Sequence, residues 1–199
     1  KATANRHMAL VRAVLRRACE VWEWIEKVPK APMFQVQSSW IRFLSEDEKE
    51  RLYNALPEHL IPLVRFSLAT GLRKRNAHRL EWKNVDLDRQ CAWIHADQSK
   101  NKRPIAVPLN ADAMAVLKGC QGKHSEFVFT YRGKPVQWVG TKAWRSALKR
   151  AGIENFRWHD LRHTWATDHA QSGTPQNVLQ ELGGWESAEM VRRYAHYSS

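Results

Sequence analysis

The amino-acid sequence predicts an α+β fold, mainly α-helical with a small antiparallel β-sheet. Three observations lead there. Apolar residues recur at helical spacing through most of the chain, with capping and stop residues at the ends of each run. One interval near the middle breaks that pattern with two short strand-like runs around a polar turn. Apolar residues are 43% of 199, enough to fill a core, yet no apolar run approaches the roughly 20 residues of a membrane span. That argues against a membrane protein, and nothing at the start reads as a signal peptide.

Leu10, Val14, Ala18, Val21 and Ile25 share one face of a helix expected over 4–27, and Pro29 and Pro32 stop it. Val28 to Trp40 follows neither period and reads as a linker, with a domain boundary near residue 40. One helix cannot bury its own apolar face. Residues 1–28 therefore read as the end of a truncated domain, 29–40 as linker, and 41–199 as a second, larger domain.

Ser45-Glu46-Asp47-Glu48 is a capping box, in which the serine caps the first amides and Glu48 reaches back. A helix should follow to about Leu56, ended by Pro57. The next runs from about His59 to Thr70 and breaks at Gly71, and Leu72 to Leu80 forms a short one. Ala92–Ala96 and Pro104–Leu109 are strand-like around Ser99-Lys100-Asn101-Lys102, a β-hairpin with a basic tip. Phe127–Tyr131 is one more candidate strand. Helices return from Val136. Thr174 caps a helix with Pro175 at its first position, and Gly183-Gly184 ends it. Ser187 caps the last helix, which carries Tyr194.

The chain has 32 Lys+Arg against 20 Asp+Glu, a formal charge of +12. Ten of the basic groups and only four acidic ones fall between Arg65 and Arg103. Such a field attracts polyanions, chiefly nucleic acid or anionic membrane. Cys19, Cys91 and Cys120 are odd in number and widely spaced, without a CxxC. They argue for a reducing compartment and against a disulfide frame or zinc site.

Five segments carry chemistry: Thr70-Gly71-Leu72-Arg73; Lys100 on the hairpin tip; His159-Asp160-Leu161-Arg162-His163; Leu182-Gly183-Gly184-Trp185; and Arg193-Tyr194-Ala195-His196. Each alone is weak, but their order and spacing resemble the catalytic domain of tyrosine site-specific recombinases. The phrase from Gly183 to His196 looks like the phage-integrase branch. The resemblance covers about residue 41 to the end, and the first 28 residues look like the tail of that family's core-binding domain.

The resemblance implies a DNA breaking-rejoining fold and cleavage through a 3′-phosphotyrosine on Tyr194, the nucleophile. A phenol is mostly protonated at pH 7, so it needs nearby cations and a base. The pentacoordinate phosphate is met mostly by positioned charge. Arg73 and Arg162 match the family's arginine pair, whose planar forks suit the non-bridging oxygens. Lys100 matches the general acid for the leaving 5′-oxygen, although Lys102 and Arg103 lie close enough in sequence to be confused with it.

His159 matches the histidine that hydrogen-bonds the phosphate or helps take the phenol proton. Trp185 stands where many members have histidine; its indole donates one hydrogen bond and shuttles no proton. Asn76 stands where many have an acidic residue supporting the site. Lys74, Arg75, Lys102, Arg103 and His163 are the expected DNA contacts, His163 being alternatively a core or supporting residue. No metal or other cofactor is expected.

The implied partners are double-stranded DNA attachment sites, and a homotetramer assembled on DNA from a chain that is monomeric when free. No membrane is involved, and the expected location is the cytoplasm, on the nucleoid when DNA is bound. Integration and excision of a prophage or genomic island is the implied role. Alternatives are a type IB topoisomerase-like or telomere-resolving enzyme, a DNA-binding module without catalysis, and an RNA-binding or structural basic domain. With most of a core-binding domain missing, the chain by itself should bind DNA weakly, in a salt-sensitive way.

Overall fold

The computed structural model describes residues 1–35, 41–99 and 102–197. The chain divides into two units, Lys1–Trp40 and Ile41–Ser199. In the first, helix α1 takes Ala2–Glu20, so the helix expected over 4–27 ends early. Glu23 turns left-handed (φ 55°), and the Trp24 N–H closes back on the Ala18 carbonyl at 2.9 Å. Trp22 and Trp24 then bring their rings to 4.7 Å. Residues two apart point away from each other on a helix, so this contact requires that the helix has stopped. Asn5 pins the returning segment by accepting from the Phe34 N–H and donating to its carbonyl, each at 2.8 Å.

The second unit opens on the capping box. The Glu48 N–H donates to Ser45 Oγ, the Ser45 N–H donates to the Glu48 carboxylate, and α2 runs Glu46–Ala55. Arg42 grips the same Glu48 carboxylate, which holds its pKa below the usual range. A 3-10 turn over Glu58–Leu60 leads into α3, Ile61–Thr70, which Gly71 ends in the left-handed region (φ 60°). The short helix α4 covers only Lys74–His78, within the expected 72–80, because Arg73 is extended and occupies its N-cap position.

Strands β1 (Val85–Asp86), β2 (Cys91–Ile94) and β3 (Ile105–Pro108) form an antiparallel sheet in that order. Ala92 faces Val85 on one side and Val107 on the other. The two expected strands are thus present, each a little shorter, and β1 is an addition. Helix α5, Ala111–Cys120, capped by Asn110, is another element that sequence patterning left unmarked. Of the expected strand 127–131 only β4, Thr130–Tyr131, pairs in a ladder, with β5, Lys134–Pro135; Phe127 makes a single bridge to Glu81.

Helices α6 (Lys142–Arg150), α7 (Asp160–Gln171), α8 (Gln176–Gly183) and α9 (Ala188–Ala195) complete the unit. Helix α8 starts one residue late, with Pro175 as its cap, because the Thr174 hydroxyl is engaged with His169 Nδ1 at 3.0 Å. Ser187 holds the N-cap position of α9 without a side-chain capping bond.

The main core centres on α3, with Leu63, Val64 and Phe66 fully buried, and α3 packs between α5 and α7. Thr164 ties α7 to the segment before α2. Its hydroxyl accepts from the Leu44 N–H at 3.1 Å and donates to the Asp160 carbonyl. A second, smaller cluster joins α7, α8 and α9 through Trp165, Ala166, Ala170, Leu179, Val191 and Tyr194. Among the described residues no helix is long and apolar enough to cross a membrane.

Candidate active site

Four of the five motif segments meet where α3, α7, α8 and α9 converge. The polypeptide places Arg162 on the first turn of α7, with 6% of its surface exposed. Its Nη1 donates to the Gly71 carbonyl at 2.7 Å and its Nη2 to the Gly183 carbonyl. The guanidinium carbon lies 4.2 Å from the centre of the Trp185 ring. Both acceptors are glycines for a steric reason. A Cβ on Gly71 would stand 2.2 Å from the Trp165 ring, and one on Gly183 would stand 1.9 Å from the Trp185 ring.

Arg73, at the head of α4, is half-buried. Its Nη2 donates to the Gly184 carbonyl at 3.3 Å, while its Nη1 is buried with no hydrogen-bond partner among the described residues. Neither arginine forms an ion pair among the described residues. Burial, reinforced by the charge of Arg73, pushes the Arg162 guanidinium down to about 10. Burial also lowers Arg73, against the pull of Glu186. A buried cation without a counter-ion is costly. Here a buried and a half-buried guanidinium sit close enough to repel, and Arg73 keeps an N–H without a partner among the described residues. The chemistry they fit is an anion with several acceptor oxygens.

Tyr194 is only 2% exposed. It projects from the last turn of α9 into the smaller cluster, with its ring 5.7 Å from Trp185. Its hydroxyl meets His163 Nδ1 at 2.6 Å. Burial pushes the phenol up to about 12, partly offset by Arg162 and Arg193. Burial and the neighbouring His159 push His163 down to about 4. At neutral pH the pair is therefore a phenol and a neutral imidazole, with the phenol donating. His159 caps α7, and its ring stands edge-on to His163 at 5.1 Å. Burial, then the charge of Arg162, lowers its pKa too.

His163, expected as a DNA contact or as a core or supporting residue, has its Nδ1 engaged with the Tyr194 hydroxyl. The available signal was its spacing, four residues after His159 and so on the same helix face. The Gly71 and Gly183 carbonyls were invisible in the sequence, as was the seat of Gly184 against Ile105, where a Cβ would stand 2.7 Å from Ile105 Cδ1. Among the described residues no group of three His, Cys, Asp or Glu is placed to hold a metal ion.

Lys74 and Arg75 are exposed on α4, directly beyond Arg73. Lys102 and Arg103 are exposed on the hairpin connection, Lys102 in the left-handed region (φ 51°). Lys100 lies outside the described residues. Asn76 is 8% exposed, and its Nδ2 has no hydrogen-bond partner among the described residues. His196 is exposed at the end of α9.

The model of the phage integrase family matches residues 42–199. The integrase of Salmonella phage P22 is 46% identical over 98% of this chain and 54% of its own length. A shufflon-specific DNA recombinase of Escherichia coli is 31% identical over 81% of this chain and 42% of its own length. The chain thus spans about half the length of these relatives. Among solved structures, the catalytic domain of bacteriophage HP1 integrase superposes with a TM-score of 0.61 at 25% identity, covering 79% of this chain and 89% of that one. The Tn1549 transposon integrase, solved with a circular intermediate DNA, gives 0.85 at 16% identity over all of this chain and 75% of that one, a likeness of fold. The α+β, mainly helical architecture with its small antiparallel sheet is that of the tyrosine recombinase catalytic domains.

Proposed function

The chain belongs to the phage integrase family, and on that footing we propose that it cuts and rejoins duplex DNA by site-specific transfer of a DNA 3′-phosphate to Tyr194. The observation that carries this reading is the pair of guanidiniums without counter-ions among the described residues, Arg73 and Arg162, beside a tyrosine whose hydroxyl is already hydrogen-bonded. A phosphodiester supplies the missing anion. Its non-bridging oxygens take the free Arg73 N–H and the Arg162 N–H groups that the glycine carbonyls leave over, and Tyr194 Oη attacks phosphorus in line with the departing 5′-oxygen. The ester conserves the bond energy, so rejoining is the same reaction reversed and no ATP is consumed.

Within this reading Lys100 is the acid for the 5′-oxygen, and His159, at the rim, holds a phosphate oxygen. Trp185 braces Arg162. Lys74, Arg75, Lys102 and Arg103 contact flanking phosphates. Residues 41–199 are the catalytic domain, 29–40 the linker and 1–28 the last helix of a core-binding domain. The partners are attachment-site duplexes, on which four protomers assemble, and the role is integration and excision of a prophage or genomic island.

The test is covalent trapping on a nicked suicide duplex, comparing the chain with Tyr194→Phe. A denaturant-stable adduct that the substitution abolishes supports the reading. Tight, site-specific binding without any adduct overturns it in favour of a binding module.

A further inference from the structure

His159 is the histidine that resemblance offers for the phenol proton, yet the atom on the Tyr194 hydroxyl is His163 Nδ1, at 2.6 Å. The phenol belongs to the smaller apolar cluster, with the Trp185 ring 5.7 Å from its own. The groups facing the imidazole are His159, Asp160 and Arg162 from α7 and Arg193 with Tyr194 from α9. Three of these are cations or become so on protonation, and Asp160 is drawn to the Arg157 N–H at 2.7 Å. The surroundings therefore keep the imidazole unprotonated and its Nδ1 lone pair available.

We propose that His163 is the catalytic base of the cleavage step, accepting the Tyr194 proton at Nδ1 as the phenol attacks. This rests on the strand-cleavage reading above. The Tyr194 Oη–P bond forms, the P–O5′ bond breaks, the phenol proton passes to His163 to give an imidazolium, and a separate acid protonates the 5′-oxygen. In rejoining, the 5′-hydroxyl gives its proton to the conjugate base of that acid as its oxygen bonds to phosphorus, the Oη–P bond breaks, and the imidazolium returns its proton to the departing phenolate.

The resting phenol holds its proton far more tightly than the imidazole would. Transfer becomes favourable only as the new O–P bond drains charge from the oxygen, which is the situation in which a positioned base is effective. The same hydrogen bond fixes the phenol before DNA arrives.

The experiment uses the full chain and a nicked duplex recovered by selecting covalent adducts from a pool of randomised sequence. His163→Asn places an amide oxygen near the Nδ1 position, able to accept the hydrogen bond but not the proton. Its single-turnover cleavage should fall by about 100-fold or more with DNA affinity unchanged. His163→Ala should be partly rescued by free imidazole, in proportion to its unprotonated form. A duplex with sulfur at the 5′-bridging position, which needs no acid, should not rescue either variant. Unchanged cleavage by His163→Asn, or rescue of both variants by the sulfur substrate, overturns the assignment.

A second readout needs no DNA. ¹⁵N NMR of the free protein should show His163 neutral, with its proton on Nε2. A proton on Nδ1 overturns the assignment even if Tyr194 forms the adduct. Failure of the chain to form any adduct, with Nε2–H observed, counts instead against strand cleavage.

Discussion

Trp185 lies under the guanidinium of Arg162, 4.2 Å from ring centre to guanidinium carbon, and packs against Tyr194 with the same ring at 5.7 Å, so one indole joins the proposed anion receptor to the proposed nucleophile. Trp185→Ala removes the cation–π contact and part of the smaller cluster together. We expect a loss of about 2–4 kcal/mol in unfolding free energy, read from urea titrations. Trp185→Phe, which keeps a face for the cation, should lose less than half of that.

Arg162→Lys keeps the charge but cannot span the two glycine carbonyls with a planar fork. Single-turnover cleavage should drop by roughly 100- to 1000-fold while DNA affinity changes little. A parallel loss of affinity would place Arg162 in binding rather than in the reaction.

Gly183→Ala pushes a methyl group into the Trp185 ring, 1.9 Å from its nearest carbon. The ring must move, and with it the cover over Arg162. We expect destabilisation of about 1–3 kcal/mol and loss of adduct formation. Gly119→Ala, where a Cβ meets nothing within 4 Å, is the control.

Acid should loosen the fold through His163. Its pKa is about 4 in the folded chain against 6.5 unperturbed. Between those values the unfolded chain binds a proton that the folded one refuses, so stability present above the upper value is lost as pH falls through the window. His59, His78, His159 and His169 are lowered as well and add a common slope. The difference between the parent and His163→Asn isolates one residue. It should amount to about 1–2 kcal/mol from pH 7 to 4, after discounting for the ring's partial exposure.

Lys74→Ala and Arg75→Ala should each weaken DNA binding by a similar factor on any sequence. Each should also lower the slope of log affinity against log salt by about 1, measured by fluorescence anisotropy. A sequence-dependent loss would make either one a base contact.

Legibility in the sequence followed the range of the forces involved. The Ser45 capping box and the glycine stops at Gly71 and Gly184 are local events, and each stands where the residues place it. Strand β1 has two residues and exists only because β2 lies beside it, so nothing local marked it. Helix α1 was overrun because Val21 and Ile25 keep the apolar period while Trp22 and Trp24 turn the chain aside. The motif residues could be named from their spacing. The hydrogen bond from Tyr194 to His163 could not, since it joins residues 31 apart across the packing of α7 against α9.

Arg162 acts as a strut. Its two arms reach carbonyls at Gly71 and Gly183, 91 and 21 residues away in sequence, and fasten the end of α3 and the end of α8 to the start of α7. The group that would grip the scissile phosphate is thus also a keystone of the architecture. A chain that closes this corner in folding would, on the proposed reading, build its phosphate receptor in the same step.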